Sequence, residues 1–221
     1  MLIACDFGRV GDRICPPSPR RPYSGDMTGA GADGGSPTIR PFDVRESDLG
    51  AQFTAFIDEN RQHLLGSLAD LSEEEARRSL VPSRTRLLSL LKHAVFVETV
   101  WFGEAVTGRS RVDYGLPHDS KDSFLLDSSD TIASVSADYR AAVERSHSAI
   151  EGMDLDTVLT GHRAGPMPLR WVLLHVLREL AQHCGHADIL REQILAERER
   201  RGCWSGIARK GRTSSASRGG A

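Results

Sequence analysis

The chain has 221 residues, a net charge of −2 and 39% apolar residues, enough for one sizeable domain. The charge is uneven: Arg198 to Ala221 holds seven basic residues and one acidic residue, so the rest of the chain is acidic. Without aromatics interleaved on a basic face, specific nucleic-acid binding is not expected, and no window reaches the ~20 apolar residues of a membrane span.

Residues 1–41 are crowded with breakers, among them Pro16, Pro17, Pro19, Pro22, Gly29, Gly31 and Gly34, and no apolar period survives there. They are expected to be a disordered extension, with Met27 as an alternative translation start. Cys5, Cys15, Cys184 and Cys203 form no C-x-x-C pair, so neither a disulfide framework nor a zinc ribbon is expected, and a reducing cytoplasm fits best. Of the 28 basic residues only Lys92, Lys121 and Lys210 are lysine, a bias that points to GC-rich coding sequence.

From Glu46 to Asp70 the apolar residues Leu49, Phe53, Phe56, Ile57, Leu64, Leu65 and Leu68 recur at helical spacing, which predicts a first amphipathic helix. Ser72 and Glu75 form a capping box that opens a short helical turn ended by Pro82. A second helix is predicted from Ser83 to about Thr107, closed by Gly108. After a link from Arg109 to Ser129, long enough to act as a lid over a site, a third helix is predicted from near Asp130 to Gly152. The fourth and most apolar helix follows Pro168 and runs to about Glu197, with residues 198–221 left as a disordered basic tail. No segment alternates like a strand. The domain, residues 42–197, is therefore expected to be an all-α four-helix bundle with a long loop between helices 2 and 3.

The fourth helix carries the chemistry. His175, Glu179, His183 and His186 fall at spacings of four, four and three, so at about 100° per residue they share one polar strip of roughly 80°. Leu169, Val172, Val176, Leu180, Ala187 and Ile194 lie beside that strip and place His183 at the edge of the buried face. A carboxylate there needs compensation, and a metal ion supplies it; a plain solvated face is the other reading. The pattern is neither H-E-x-x-H nor a paired E-x-x-H, so a zincin or a ferritin-like di-iron site is not supported; the lone E-x-x-H, Glu144 with His147, sits on the third helix. A second source of ligands is needed. His93 stands among Leu90, Ala94, Val97 and Trp101 on the second helix; alone it reads as a core histidine bonded to a carbonyl.

Two segments then resemble one family closely. They are P-S-R-T-R-L-L-S-L-L-K-H-A-V-F-V-E-T-V-W-F, Pro82 to Phe102, and L-R-W-V-L-L-H-V-L-R-E-L-A-Q-H-C-G-H-A-D-I-L-R-E, Leu169 to Glu192. Both resemble the mini-circle protein branch of the DinB-like superfamily, and the likeness extends over about Pro41 to Glu197. The resemblance implies a four-helix bundle of DinB type with a divalent metal held by His93, Glu179 and His183. Glu179 departs from the all-histidine form of many relatives and resembles the set of two histidines and one glutamate in the thiol-dependent maleylpyruvate isomerases. His186 and His175 are then neighbours of the ligands, with His186 as a candidate replacement for Glu179.

Two histidines, one carboxylate and open positions describe a catalytic type of site. Zn²⁺ is the default, and Ni²⁺, Fe²⁺ or Mn²⁺ accept the same donors. The resemblance, which includes enzymes using mycothiol or bacillithiol, implies a metal-dependent thiol S-transferase acting on a small electrophile, with mycothiol favoured by the GC-rich bias. A non-catalytic metal-binding stress-response bundle and a metal-assisted hydrolase stay open beside it. No protein nucleophile is visible, since Cys184 points into the apolar sector. A homodimer is expected from the surplus apolar surface of helices two and four, and the Arg109 to Ser129 loop, with His118, is expected to border the site.

Overall fold

The computed structural model describes residues 39–213, with side chains through residue 201; the expected N-terminal extension up to residue 38, Met27 included, and residues 214–221 lie outside the described residues. Helix α1 spans Leu49–Gly66 and starts where the Asp48 carboxylate accepts from Ala51 N–H at 2.9 Å, satisfying one of the orphan donors of a helix start. It buries Phe53, Ile57 and Leu64, whereas Leu49 and Phe56, which share its apolar period, are exposed. Helix α2, Glu73–Ala76, carries the expected capping box between Ser72 and Glu75.

Helix α3, Leu87–Glu98, does not stay α-helical to its end: it passes through a π-helical turn, Thr99–Glu104, into α4, Ala105–Thr107. Gly108 ends the run at φ 73°, a left-handed conformation that glycine adopts without steric cost. The long link is less irregular than expected, because Ser120–Phe124 forms a 3₁₀ turn. Helix α5, Ile132–Ile150, starts at a Thr131 cap.

Strands also appear where none was expected: β1, Val158–Leu159, pairs antiparallel with β2, Met167–Pro168. Two residues apiece are too few to show alternation in a sequence. Helix α6 begins at Leu169 and continues to Thr213, well past Glu197. Arg198 is fixed to the bundle by a 2.6 Å ion pair with Glu75 and by a bond to the Asp70 carbonyl, so the boundary at residue 198 lies inside a packed helix.

The four long helices form the bundle. Helix α1 packs on α6, and α3 packs on both α5 and α6. The core runs between them through Leu64, Leu88, Leu91, Tyr139, Val176, Leu180 and Ile194. Each of the aliphatic side chains contributes about 1.5–3 kcal/mol of transfer free energy. Two ion pairs are sealed into this core, Arg61 with Glu98 at 2.6 Å and Arg111 with Glu104 at 2.7 Å. Among the described residues no helix is long and apolar enough to cross a membrane.

Candidate metal centre

Apolar packing of α3 against α6 sets the floor of the site. Leu90, Ala94 and Val97 on α3 and Val176, Leu180 and Ala187 on α6 are all buried, so side chains between them are drawn into the seam. His93 on α3 and His183 on α6 meet there edge to face, with ring centroids 4.9 Å apart. Glu179 lies one turn before His183, which brings its Oε2 to 3.6 Å from His183 Nε2. One donor atom each from His93, Glu179 and His183 falls within 4.8 Å of the others, a spread that a single cation can span.

The state of His93 follows from its neighbours. Ser123 Oγ lies 2.6 Å from His93 Nδ1 and also donates to the Ser120 carbonyl at 2.6 Å. With its one proton committed, the hydroxyl accepts from His93 Nδ1–H. Nε2 therefore keeps a free lone pair. Phe124 stacks on the ring at 4.1 Å, and burial, reinforced by the neighbouring His183, pushes the His93 imidazole down to about 4. The ring is neutral at physiological pH.

His183 is buried, yet among the described residues neither of its nitrogens has a hydrogen-bond partner. The 3.6 Å approach of Glu179 is too long for a hydrogen bond but close enough to act electrostatically. Glu179 is drawn down to about 2, first by that contact with His183 and further by Arg178 at 3.1 Å, against an opposing push from burial. An ionised carboxylate beside the neutral His93 ring and the orphaned nitrogens of His183 fits a divalent cation.

The remaining sequence candidates divide. His175 is half-buried, with Nε2 3.9 Å from Glu179 Oε1. His186 is exposed, its ring 5.9 Å from that of His183, and it stands outside the group of three. His118 is exposed on the loop, while Ser123 and Phe124 of that same loop touch His93. Cys184 is buried, and burial pushes its thiol up to about 12, as expected of a packing residue. His147 sits away from the trio beside Asp58 and Arg61, near a cavity of about 480 Å³ that touches none of the three candidate ligands. Ser123, Phe124 and Arg178 escaped the sequence reading; the first two lie in a loop with no period to betray them.

The bundle and its buried pair of histidines with a glutamate define a DinB-like helical protein whose side chains are suited to hold a divalent ion. The sequence profile described as mycothiol-S-transferase matches residues 52–196, two-thirds of the chain, and the chain belongs to that family. No curated protein matches it.

Proposed function

We propose that this chain is a divalent-metal-dependent S-transferase that joins a low-molecular-weight thiol of the mycothiol type to a small electrophile, with His93, Glu179 and His183 as the metal ligands. The observation that carries the reading is the orphaned, buried imidazole of His183 beside an ionised Glu179 and the free Nε2 of His93. A divalent ion, zinc by default, supplies at this point a Lewis acid that lowers the pKa of a bound thiol toward neutrality.

The protein's share is positioning and charge. Ser123 fixes the tautomer and orientation of His93, and Phe124 covers one face of the ring against water. Glu179 contributes the negative charge that offsets the cation. In the transfer, the thiol proton leaves to solvent and sulfur forms a bond to carbon. The leaving group departs with its electron pair or, on a conjugated acceptor, the carbon skeleton takes up a proton.

Elemental analysis of the purified full chain, followed by calorimetric titration with mycothiol, tests the proposal. Stoichiometric metal and selective thiol binding are expected, both lost in His93→Ala and His183→Ala. Metal without thiol binding would move the reading to a non-catalytic bundle or a hydrolase; absence of both would remove the metal centre.

A further inference from the structure

Residues Trp171, His175, Glu179 and His183 recur every four positions along α6, so each lies about 6 Å beyond the last on one face. The facing rod of α3 and its π turn carries His93 and Trp101. At the far end of this seam from His93, four rings meet. Trp101 stacks on His162 at 4.5 Å and 20°, and contacts His175 at 4.2 Å and Trp171 at 5.7 Å; Trp171 stacks on His175 at 5.2 Å and 9°.

The cluster is open to solvent: Trp171 is 46% exposed, with Leu174 beside it at 52%. Each of its imidazoles presents Nδ1 to a group that only donates. Ala164 N–H donates to His162 at 3.1 Å, and Arg178 Nη2 faces His175 at 3.4 Å. His162 is held in place because Gly161 N–H donates to the Ala105 carbonyl at 3.0 Å, and a Cβ at Gly161 would collide with the Glu104 carbonyl and the Gly108 backbone. The surface is thus anchored, rich in π-electrons and partly exposed, with the guanidinium groups of Arg178 and Arg111 each 3.4 Å from one of its imidazoles, and His175 joins it to Glu179 across 3.9 Å.

The geometry points to Trp101, His162, Trp171 and His175 as a stacking platform for a planar, electron-poor conjugated ring on the electrophile. Electron-rich indole faces favour such a partner over an aliphatic group of equal size. This substrate class rests on the transferase reading, but its test requires neither metal nor turnover.

The probe is 1,3-dinitrobenzene, with cyclohexanol as a non-aromatic control, and binding is read as inner-filter-corrected quenching of tryptophan fluorescence in EDTA. Saturable binding of dinitrobenzene alone is expected. Trp171→Leu should raise its Kd about ten-fold, the size of one lost aromatic pair, and Trp171→Phe should restore most of it. Trp171 is half exposed, so these variants should fold. Non-saturable quenching, equal binding of cyclohexanol, or a Kd unchanged in Trp171→Leu overturns the platform. So does a wild-type dimer that Trp171→Leu converts to monomer in sedimentation, since the patch is then an interface between copies. Dinitrobenzene binding without any thiol transfer keeps the platform and discards the transferase reading; transfer to iodoacetamide without dinitrobenzene binding does the reverse.

Discussion

Replacing His183 with leucine should separate the stability of the bundle from its capacity for metal. The His183 imidazole brings two polar nitrogens, and both are buried without a hydrogen-bond partner among the described residues. Each orphan costs about 1–3 kcal/mol, of which the Glu179 carboxylate at 3.6 Å returns a fraction for one nitrogen only. Leucine removes both polar atoms and keeps apolar volume beside Leu180 and Ala187. We expect His183→Leu to be more stable than the parent by about 2 kcal/mol without metal, which for a domain of this size raises Tm by about 4–8 °C. Zinc should invert the order. At about 100 times Kd the parent gains about 2.7 kcal/mol, whereas the variant gains nothing. Thermal unfolding followed by far-UV circular dichroism in EDTA and in zinc chloride measures all four states. A variant that is less stable than the parent in EDTA, or that keeps a zinc-dependent rise, would refute the reasoning.

Ser123→Ala removes the acceptor for His93 Nδ1–H and should weaken zinc affinity about 10- to 100-fold, while His186→Ala should have a smaller effect; competition with a chromophoric chelator measures both. Glu98→Gln removes the bidentate charge partner of the buried Arg61 guanidinium and leaves it only Asp58 at 2.8 Å, so it should cost about 2–3 kcal/mol in urea unfolding, where a loss below about 1 kcal/mol would show that the pair is not sealed. The metal-free protein should lose stability on acidification. His93 falls from its ordinary 6.5 to about 4 in the folded chain and Glu179 from 4.5 to about 2, so the unfolded chain takes up protons first. The His93 contribution is present above pH 6.5 and is lost between 6.5 and 4; that of Glu179 is lost between 4.5 and 2. A urea midpoint that rises from pH 7.5 to pH 5 would contradict this sign.

The helices were legible because each long one buries a stripe at 3.6-residue spacing, and the candidate ligands were legible because Glu179 and His183 share a strip one turn apart beside buried leucines. His93 stood out as an imidazole on an apolar face. The buried ion pairs have a weaker signal: Arg61 continues the Phe53–Ile57 stripe at the next four-residue step, so a charge sits where an apolar side chain is expected. Ser123 had none, since its partner is thirty positions away and its own turn follows no period. The end of α6 is not legible in the sequence because polar composition says little about a helix held by ion pairs such as Arg78 with Glu197 and Arg198 with Glu75.

The π turn at Thr99–Glu104 gives the rod from Leu87 to Thr107 about one residue more than its axial length requires in α geometry. That surplus is slack, and it is confined to one end. Deleting Gly103 lets the turn relax into ordinary helix while the flanking segments keep their faces, so the change falls on how Trp101 is presented. Deleting Lys92 instead swings one part of the helix against the other by about 100° and carries His93 out of line with the leucines that bury its neighbours. The length of this helix is adjustable beside the rings and fixed beside His93, so natural insertions and deletions can retune what the seam accepts without disturbing the group that would hold the ion.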